Sequence, residues 1–190
     1  EDNNYDIWAV VVAPNVGNAD ATFGTPVKMV DGDSDDRAQY PSCTYDTTAD
    51  RFLLMYSLRD ADADYSSQLR GRVATVTGGS TNSVAFGTDT LIYDHSVSYG
   101  ANKNAFTTYT GSANRHVLVN RIFRYAADNS TDDSEWASLT VTVTGGSTNT
   151  PSTATYAEVS SGKYGSADGE SLCWDETNDR LIAIHIDNGN

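Results

Sequence analysis

The octamer TVTGGSTN occurs at Thr75 to Asn82 and recurs letter for letter at Thr142 to Asn149, 67 residues later. An identical run of that length marks the chain as a repeat array before any other property is considered. Two further landmarks carry nearly the same period. TYDTTADRFLLMYS from Thr44, TYTGSANRHVLVNR from Thr108 and CWDETNDRLIAIHI from Cys173 place Arg51, Arg115 and Arg180 at spacings of 64 and 65 residues. FGT at Phe23 to Thr25 returns at Phe86 to Thr88 after 63. The repeating unit is therefore about 65 residues long.

Each unit reads as four short strands, a to d. Strand a ends at an aromatic residue, Tyr45, Tyr109 or Trp174, and a polar turn such as Asp46 to Asp50 leads into strand b, Phe52 to Tyr56 in the first complete unit. Strand c spans about Leu69 to Thr77 and about Trp136 to Thr144; Gly-Gly-Ser-Thr-Asn supplies the positive-φ residues of the c–d hairpin, and strand d lies near Val84 to Tyr93. Strand b carries the architectural clue. Phe-Leu-Leu-Met-Tyr and Leu-Ile-Ala-Ile are continuously apolar, so both faces are expected to be buried, whereas the alternation of Val73 to Thr77 suits a strand nearer solvent. No segment has a helical period. The expected fold class is all-β, built from antiparallel four-stranded blade-like repeats stacked face to face, β-propeller-like, with a β-sandwich as the alternative.

The phase of the repeat divides the chain into 1–30, a half repeat of strands c and d; 31–93, the first full repeat; 94–160, the second; and 161–190, a half repeat of strands a and b, all in one continuous array. Three expectations follow: closure within one chain, pairing of the half repeats with neighbouring copies in rings or filaments, or a piece of a longer array. A start at Glu1 without Met fits a processed protein or a fragment, and no secretory signal opens it.

Composition narrows the partners. Twelve Lys and Arg stand against 26 Asp and Glu, a net charge of −14, which opposes unassisted binding to nucleic acid or anionic lipid. No apolar run approaches the roughly 18 residues of a membrane span. Cys43 and Cys173 are too few for a disulfide framework and lack the spacing of a zinc site, leaving their redox state open.

The hairpin pattern Tyr-Asp-x-x-x-Asp/Asn-Arg followed by an apolar strand, with FGTPV and a VTGGSTN hairpin, resembles repeats of tail-fibre and other virion structural proteins of marine bacteriophages, over about Phe23 to Ile186. The resemblance implies a propeller-like, surface-binding part of a virion that attaches to host-surface glycans. The chain departs from regularity in its third unit, where Ser152 to Tyr156 replaces the FGT segment and a loop, Ser160 to Gly169, intervenes.

Two acidic tracts read D-x-D-x-D: Asp31, Asp33 and Asp35 before strand a, and Asp60, Asp62 and Asp64 after strand b. Alternating carboxylates on a loop can wrap one Ca²⁺, the one cofactor the sequence indicates, although the EF-hand glycine and glutamate are missing; the other reading is a solvated acidic loop. Arg51, Arg115 and Arg180 invite comparison with a sialidase arginine cluster, but they hold one repeated position beside Asp50, Asn114 and Asp179, so their expected role is to fasten each turn. Tyr45, Tyr109 and Trp174 likewise share one position and are expected in the core. His116 aligns with Phe52 and Leu181, a polar residue on a core strand. Tyr65, Tyr93, Tyr99 and Tyr164 lie in or beside loops and are the candidate sugar-stacking surfaces. There is no nucleophile elbow, phosphate loop or dinucleotide fingerprint. The sequence thus points to a non-enzymatic virion or extracellular appendage protein that attaches to a host- or cell-surface glycan and partners other copies or other appendage proteins. A self-assembling filament or shell subunit and a glycoside-cleaving propeller enzyme are the alternatives.

Overall fold

The computed structural model describes residues 5–14, 21–32, 36–60, 67–77, 82–94, 102–111, 115–125, 132–144, 150–152, 155–161, 171–175, 177–178 and 180–184. Every regular element among them is a β-strand, and every pairing is antiparallel. The first strands, β1 (Ile7–Ala9), β2 (Val12–Pro14), β3 (Ala21–Phe23) and β4 (Val27–Val30), pair as β1 with β4 and β2 with β3. A meander follows: β5 (Asp36–Asp46), β6 (Arg51–Asp60) and β7 (Ser67–Thr77), with β8 (Ser83–Phe86) and β9 (Thr90–Asp94) both paired to β7. The next sheet has the order β10 (Asn102–Thr110), β11 (Arg115–Tyr125), β12 (Asp132–Val141) and β15 (Thr155–Ser161). Beside it, β13 (Val143–Thr144) pairs with β14 (Thr150–Pro151). A final hairpin joins β16 (Ser171–Asp175) to β17 (Arg180–Ile184). The fold is all-β and antiparallel, and none of the described sheets closes on itself.

The repeat extends to irregularities that the letters do not display. The c–d ladder slips between Ile7 and Trp8, between Leu69 and Arg70, and between Trp136 and Ala137. The a–b ladder slips between Gln39 and Ser42 and again between Lys103 and Phe106. In the first of these a–b bulges Tyr40 adopts φ 54° and is followed by Pro41, which has no N–H to lose from the ladder. Bulges bend a strand and increase its twist, so their recurrence gives successive sheets the same shape.

Face-to-face stacking explains the apolar strand. Alternate residues of β6 point to opposite sides. Leu53 and Met55, both fully buried, meet Leu69, Ile92 and Val141, the last from the second sheet. Tyr56, 1% exposed, meets Ile7, Met29, Val30 and Ala38 on the other side, with Leu54 and Leu58 packed against that cluster. Each fully buried aliphatic side chain contributes about 1.5–3 kcal/mol. One sheet thus serves as the core partner of two neighbours.

Several expectations need correction. Strand d near Val84 to Tyr93 is two strands, β8 and β9, interrupted at Gly87 to Asp89. Strand c is not uniformly near solvent: Leu69 and Val73 are fully buried, and only its end, at Val76 and Thr77, is exposed, because the second sheet covers the first half. Tyr45 is not a core residue, being 41% exposed, whereas Tyr109 and Trp174 are half-buried. The reason is positional. Tyr109 lies against the turn of the preceding a–b hairpin, its hydroxyl donating to Thr48 Oγ1 at 2.7 Å, while among the described residues no such hairpin precedes Tyr45.

Candidate functional site

The strand alternation that buries Leu69, Gly71 and Val73 on one face of β7 sends Gln68, Arg70 and Arg72 to the other. There they lie beside Leu58, Tyr56 and Leu54, their cross-strand partners on β6. Asp89, in the interruption between β8 and β9, reaches the same place. Its Oδ2 accepts from Arg70 Nε at 2.9 Å, while Arg70 Nη1 donates to Gln68 Oε1 at 2.8 Å. Arg72 Nε stands 3.9 Å from Asp89 Oδ1, too far for a hydrogen bond, and both of these buried atoms lack a hydrogen-bond partner. Burial pushes the Tyr56 phenol well up, and the Asp89 carboxylate adds to the effect, so Tyr56 stays protonated beside Asp89. These groups line a cavity of about 510 Å³, with Val30 and Leu58 as its apolar wall and Asp31 and Asp36 as further carboxylates.

The cluster breaks the repeat. The shared bulge aligns Arg70 with Trp8 and Ala137, and counting two residues on aligns Arg72 with Val10 and Leu139. A scaffold that accepts Ala and Leu there does not require two arginines. Chemically, the site offers fixed donors and acceptors of both signs within a volume typical of small-ligand pockets. Sequence reading passed over Arg70, Arg72 and Asp89. The signal was the polar-apolar alternation of Leu69-Arg70-Gly71-Arg72-Val73, which places both guanidiniums on one face.

The a–b turns form a second polar cluster. Asp46 Oδ1 accepts from the backbone N–H groups of Thr48 and Ala49 at 2.9 and 2.8 Å. Asp175 Oδ1 repeats this with Thr177 and Asn178 at 3.0 and 3.2 Å. These Asx turns fasten the first and the last of the a–b hairpins. Asp50 accepts the Tyr45 hydroxyl at 2.6 Å, and the buried Nε of Arg51 has no hydrogen-bond partner. Arg180 is exposed and pairs in register with Asp175; of Arg115 the backbone alone is described, opposite Thr110. In the second unit His116, fully buried, points Nε2 at Asp46 Oδ2 from 3.5 Å, with the Tyr109 ring 5.0 Å away. Burial lowers the His116 pKa from 6.5, and the Asp46 carboxylate opposes that shift.

Among the calcium candidates, the Asp31 carboxylate is bound by Lys28 Nζ at 2.7 Å, and Lys28 also bonds Asp6 at 2.9 Å. Register sets Asp36 opposite Asp60, so the two acidic tracts flank the same end of the β5–β6 pair. Asp60 ends β6 with only its backbone described; Asp33, Asp35, Asp62 and Asp64 lie outside the described residues, as do Tyr65, Tyr99 and Tyr164. Among the described residues no group of three or more His, Cys, Asp or Glu is arranged to hold a metal. Tyr93 is half-buried and packs against the Leu53 cluster. Cys43 and Cys173 are both free thiols. Cys43 lines an apolar cleft of about 370 Å³ with Val10, Val12, Phe52 and Leu54, and the apolar surroundings push its pKa up although part of the residue meets solvent. No helix is long and apolar enough to cross a membrane among the described residues. Comparison with known protein families, curated proteins and solved structures finds no match to this chain.

Proposed function

We propose that the chain is a non-enzymatic structural protein of a virion or extracellular appendage, in which propeller-like stacked sheets form a rigid scaffold for attachment to a host- or cell-surface glycan. The observation that carries this reading is the Arg70, Arg72, Asp89 cavity. It is polar, of mixed sign, occupied by residues that the repeat does not require, and mounted on a sheet packed on both faces. A stiff scaffold holds such groups in position without a large ordering cost on binding. The Asp89 carboxylate is engaged by Arg70, an arrangement suited to recognition rather than proton transfer.

A glycan array probed with the intact chain tests attachment, and the bound glycans are then assayed for hydrolysis. Specific binding without turnover is expected; release of any sugar overturns the non-enzymatic reading. A second reading, a self-assembling filament or shell subunit, is favoured by strand edges: among the described residues β17 pairs only with β16, and β1 only with β4. In the complete sheets strand b pairs with strand c with Phe52 opposite Ala74. Transferred to β17 of one copy and β2 of another, that register sets Leu181 opposite Val12. Sedimentation at increasing concentration decides this reading, a constant monomer removing it.

A further inference from the structure

We infer, resting on the self-assembly reading, that the apolar cleft of about 370 Å³ receives the β16–β17 hairpin of a second copy, head to tail. The cleft runs along β1 and β2 over one face of the first complete sheet, lined by Val10, Val12, Cys43, Phe52, Leu54 and Ala74. In the complete sheets strand b fills the place beside strand c, as β6 pairs with β7 and β11 with β12. Among the described residues β1 pairs only with β4 and β2 only with β3, and the cleft lies where their strand b would be.

Exposure at equivalent positions shows which faces are bare. The shared bulge makes Val12, Ala74 and Val141 counterparts. Ala74 is 1% exposed and Val141 is fully buried on Leu53 and Met55 of the preceding sheet, yet Val12 is 48% exposed. Phe23, cross-strand partner of Val12 as Phe86 is of Ala74, is exposed, whereas Phe86 packs against the Tyr56 cluster. In the final hairpin Cys173 faces Ile182 as Thr44 faces Leu53 in the first. Leu53 is fully buried; its counterpart Ile182 is 56% exposed. Apolar groups that are core in the internal junctions but bare here form a surface suited to a further junction of the same kind.

The junction between the two complete sheets is the template. There Tyr109 reaches Thr48 in the turn of the preceding hairpin, and Val141 packs on Leu53. Repeated between copies, it carries Tyr45 to Thr177 of the second copy, because Thr177 follows Asp175 as Thr48 follows Asp46. The Tyr45 hydroxyl donates to Asp50 at 2.6 Å, so its oxygen accepts from the threonine hydroxyl. The same superposition sets Ala74 against Ile182 of the second copy, and Val12 against its Val117, the counterpart of Leu53 in the second complete sheet. Backbone pairing of β17 along the β2 edge adds main-chain hydrogen bonds. The two surfaces differ, so each copy uses both, and the product is an open chain or a ring.

The test is sedimentation of the full chain over a range of concentrations, with Val12→Asp damaging the cleft and Ile182→Asp damaging the hairpin. The parent chain is expected to assemble, and each variant alone to need at least about tenfold higher concentration. An equimolar mixture of the two variants keeps one intact cleft and one intact hairpin, so it is expected to form dimers and nothing larger. Alkylation of the exposed Cys43 thiol in the cleft is expected to slow as the parent assembles. Both substituted side chains are exposed in the single chain, and thermal melts identify a variant that fails to fold, the other then carrying the comparison. Assembly undiminished in a folded variant overturns this inference and leaves self-assembly standing, as does a mixture of folded variants that stays monomeric. A parent chain that is monomeric at every concentration overturns the self-assembly reading and the inference with it.

Discussion

His116→Phe is expected to stabilise the protein and to remove part of its acid sensitivity. His116 is fully buried, neither ring nitrogen has a hydrogen-bond partner, and its 3.5 Å approach to Asp46 is longer than a good N–H···O bond. An unpaired buried polar group costs about 1–3 kcal/mol. Phenylalanine fills the equivalent position at Phe52, where its ring packs 4.8 Å from Tyr45 as the His116 ring packs 5.0 Å from Tyr109. Asp46 keeps both backbone bonds in the variant. Allowing for the larger ring, a net gain of about 1 kcal/mol near neutral pH is expected, about 2–4 °C in Tm for a chain of this length.

The pH dependence is the sharper test of the same substitution. The pKa of His116 in the folded state lies below the ordinary 6.5 because burial outweighs the pull of Asp46. As pH falls through 6.5 the unfolded chain takes up a proton that the folded chain refuses, so stability is lost on acidification. It is fully present above 6.5 and falls by at most about 1.4 kcal/mol per pH unit until the folded pKa is reached. The variant lacks this loss, so its advantage grows between pH 7.5 and 5.5. Urea unfolding at a series of pH values, followed by far-UV circular dichroism, measures the difference and cancels the carboxylates common to both proteins. An advantage that stays constant, or that shrinks because protonated His116 gains an ion pair with Asp46, refutes the reasoning.

Four further outcomes are expected. Gly24→Ala places a methyl against the backbone carbonyl of Asn82, which has φ 39° and cannot easily retreat, so Tm should fall by several degrees, about 1–3 kcal/mol; an unchanged melt contradicts that contact. Asp46→Ala strips two part-buried backbone N–H groups of their acceptor and should cost about 2 kcal/mol in urea unfolding. Asp175→Ala should cost less, because its turn is exposed, and equal losses would remove burial as the explanation. Calcium held between the acidic tracts raises Tm and EDTA reverses the rise, whereas a Tm indifferent to both identifies the tracts as solvated loops.

Alternation with period two is local, so it could be read directly. The letters placed strand b within β6 and strand c within β7, and the unbroken apolar run Phe52 to Tyr56 announced burial on both faces. The half-readable part was the site. Arg70 and Arg72 were legible as residues of one face, but Asp89 lies 19 positions from Arg70 and enters only because strand d breaks after Phe86.

The sequence by itself determined the period, the positions of strands b and c in the first complete unit and the burial of strand b on both faces, since these depend on residue spacing along a single extended chain. Tertiary structure decided what covers each face. Tyr45 and Tyr109 hold the same repeat position, yet only Tyr109 meets a preceding hairpin, while His116 meets Asp46 seventy residues away. Burial and electrostatic pairing arise between units, and an array of near-identical units surrounds equivalent letters with different neighbours according to their place in the stack.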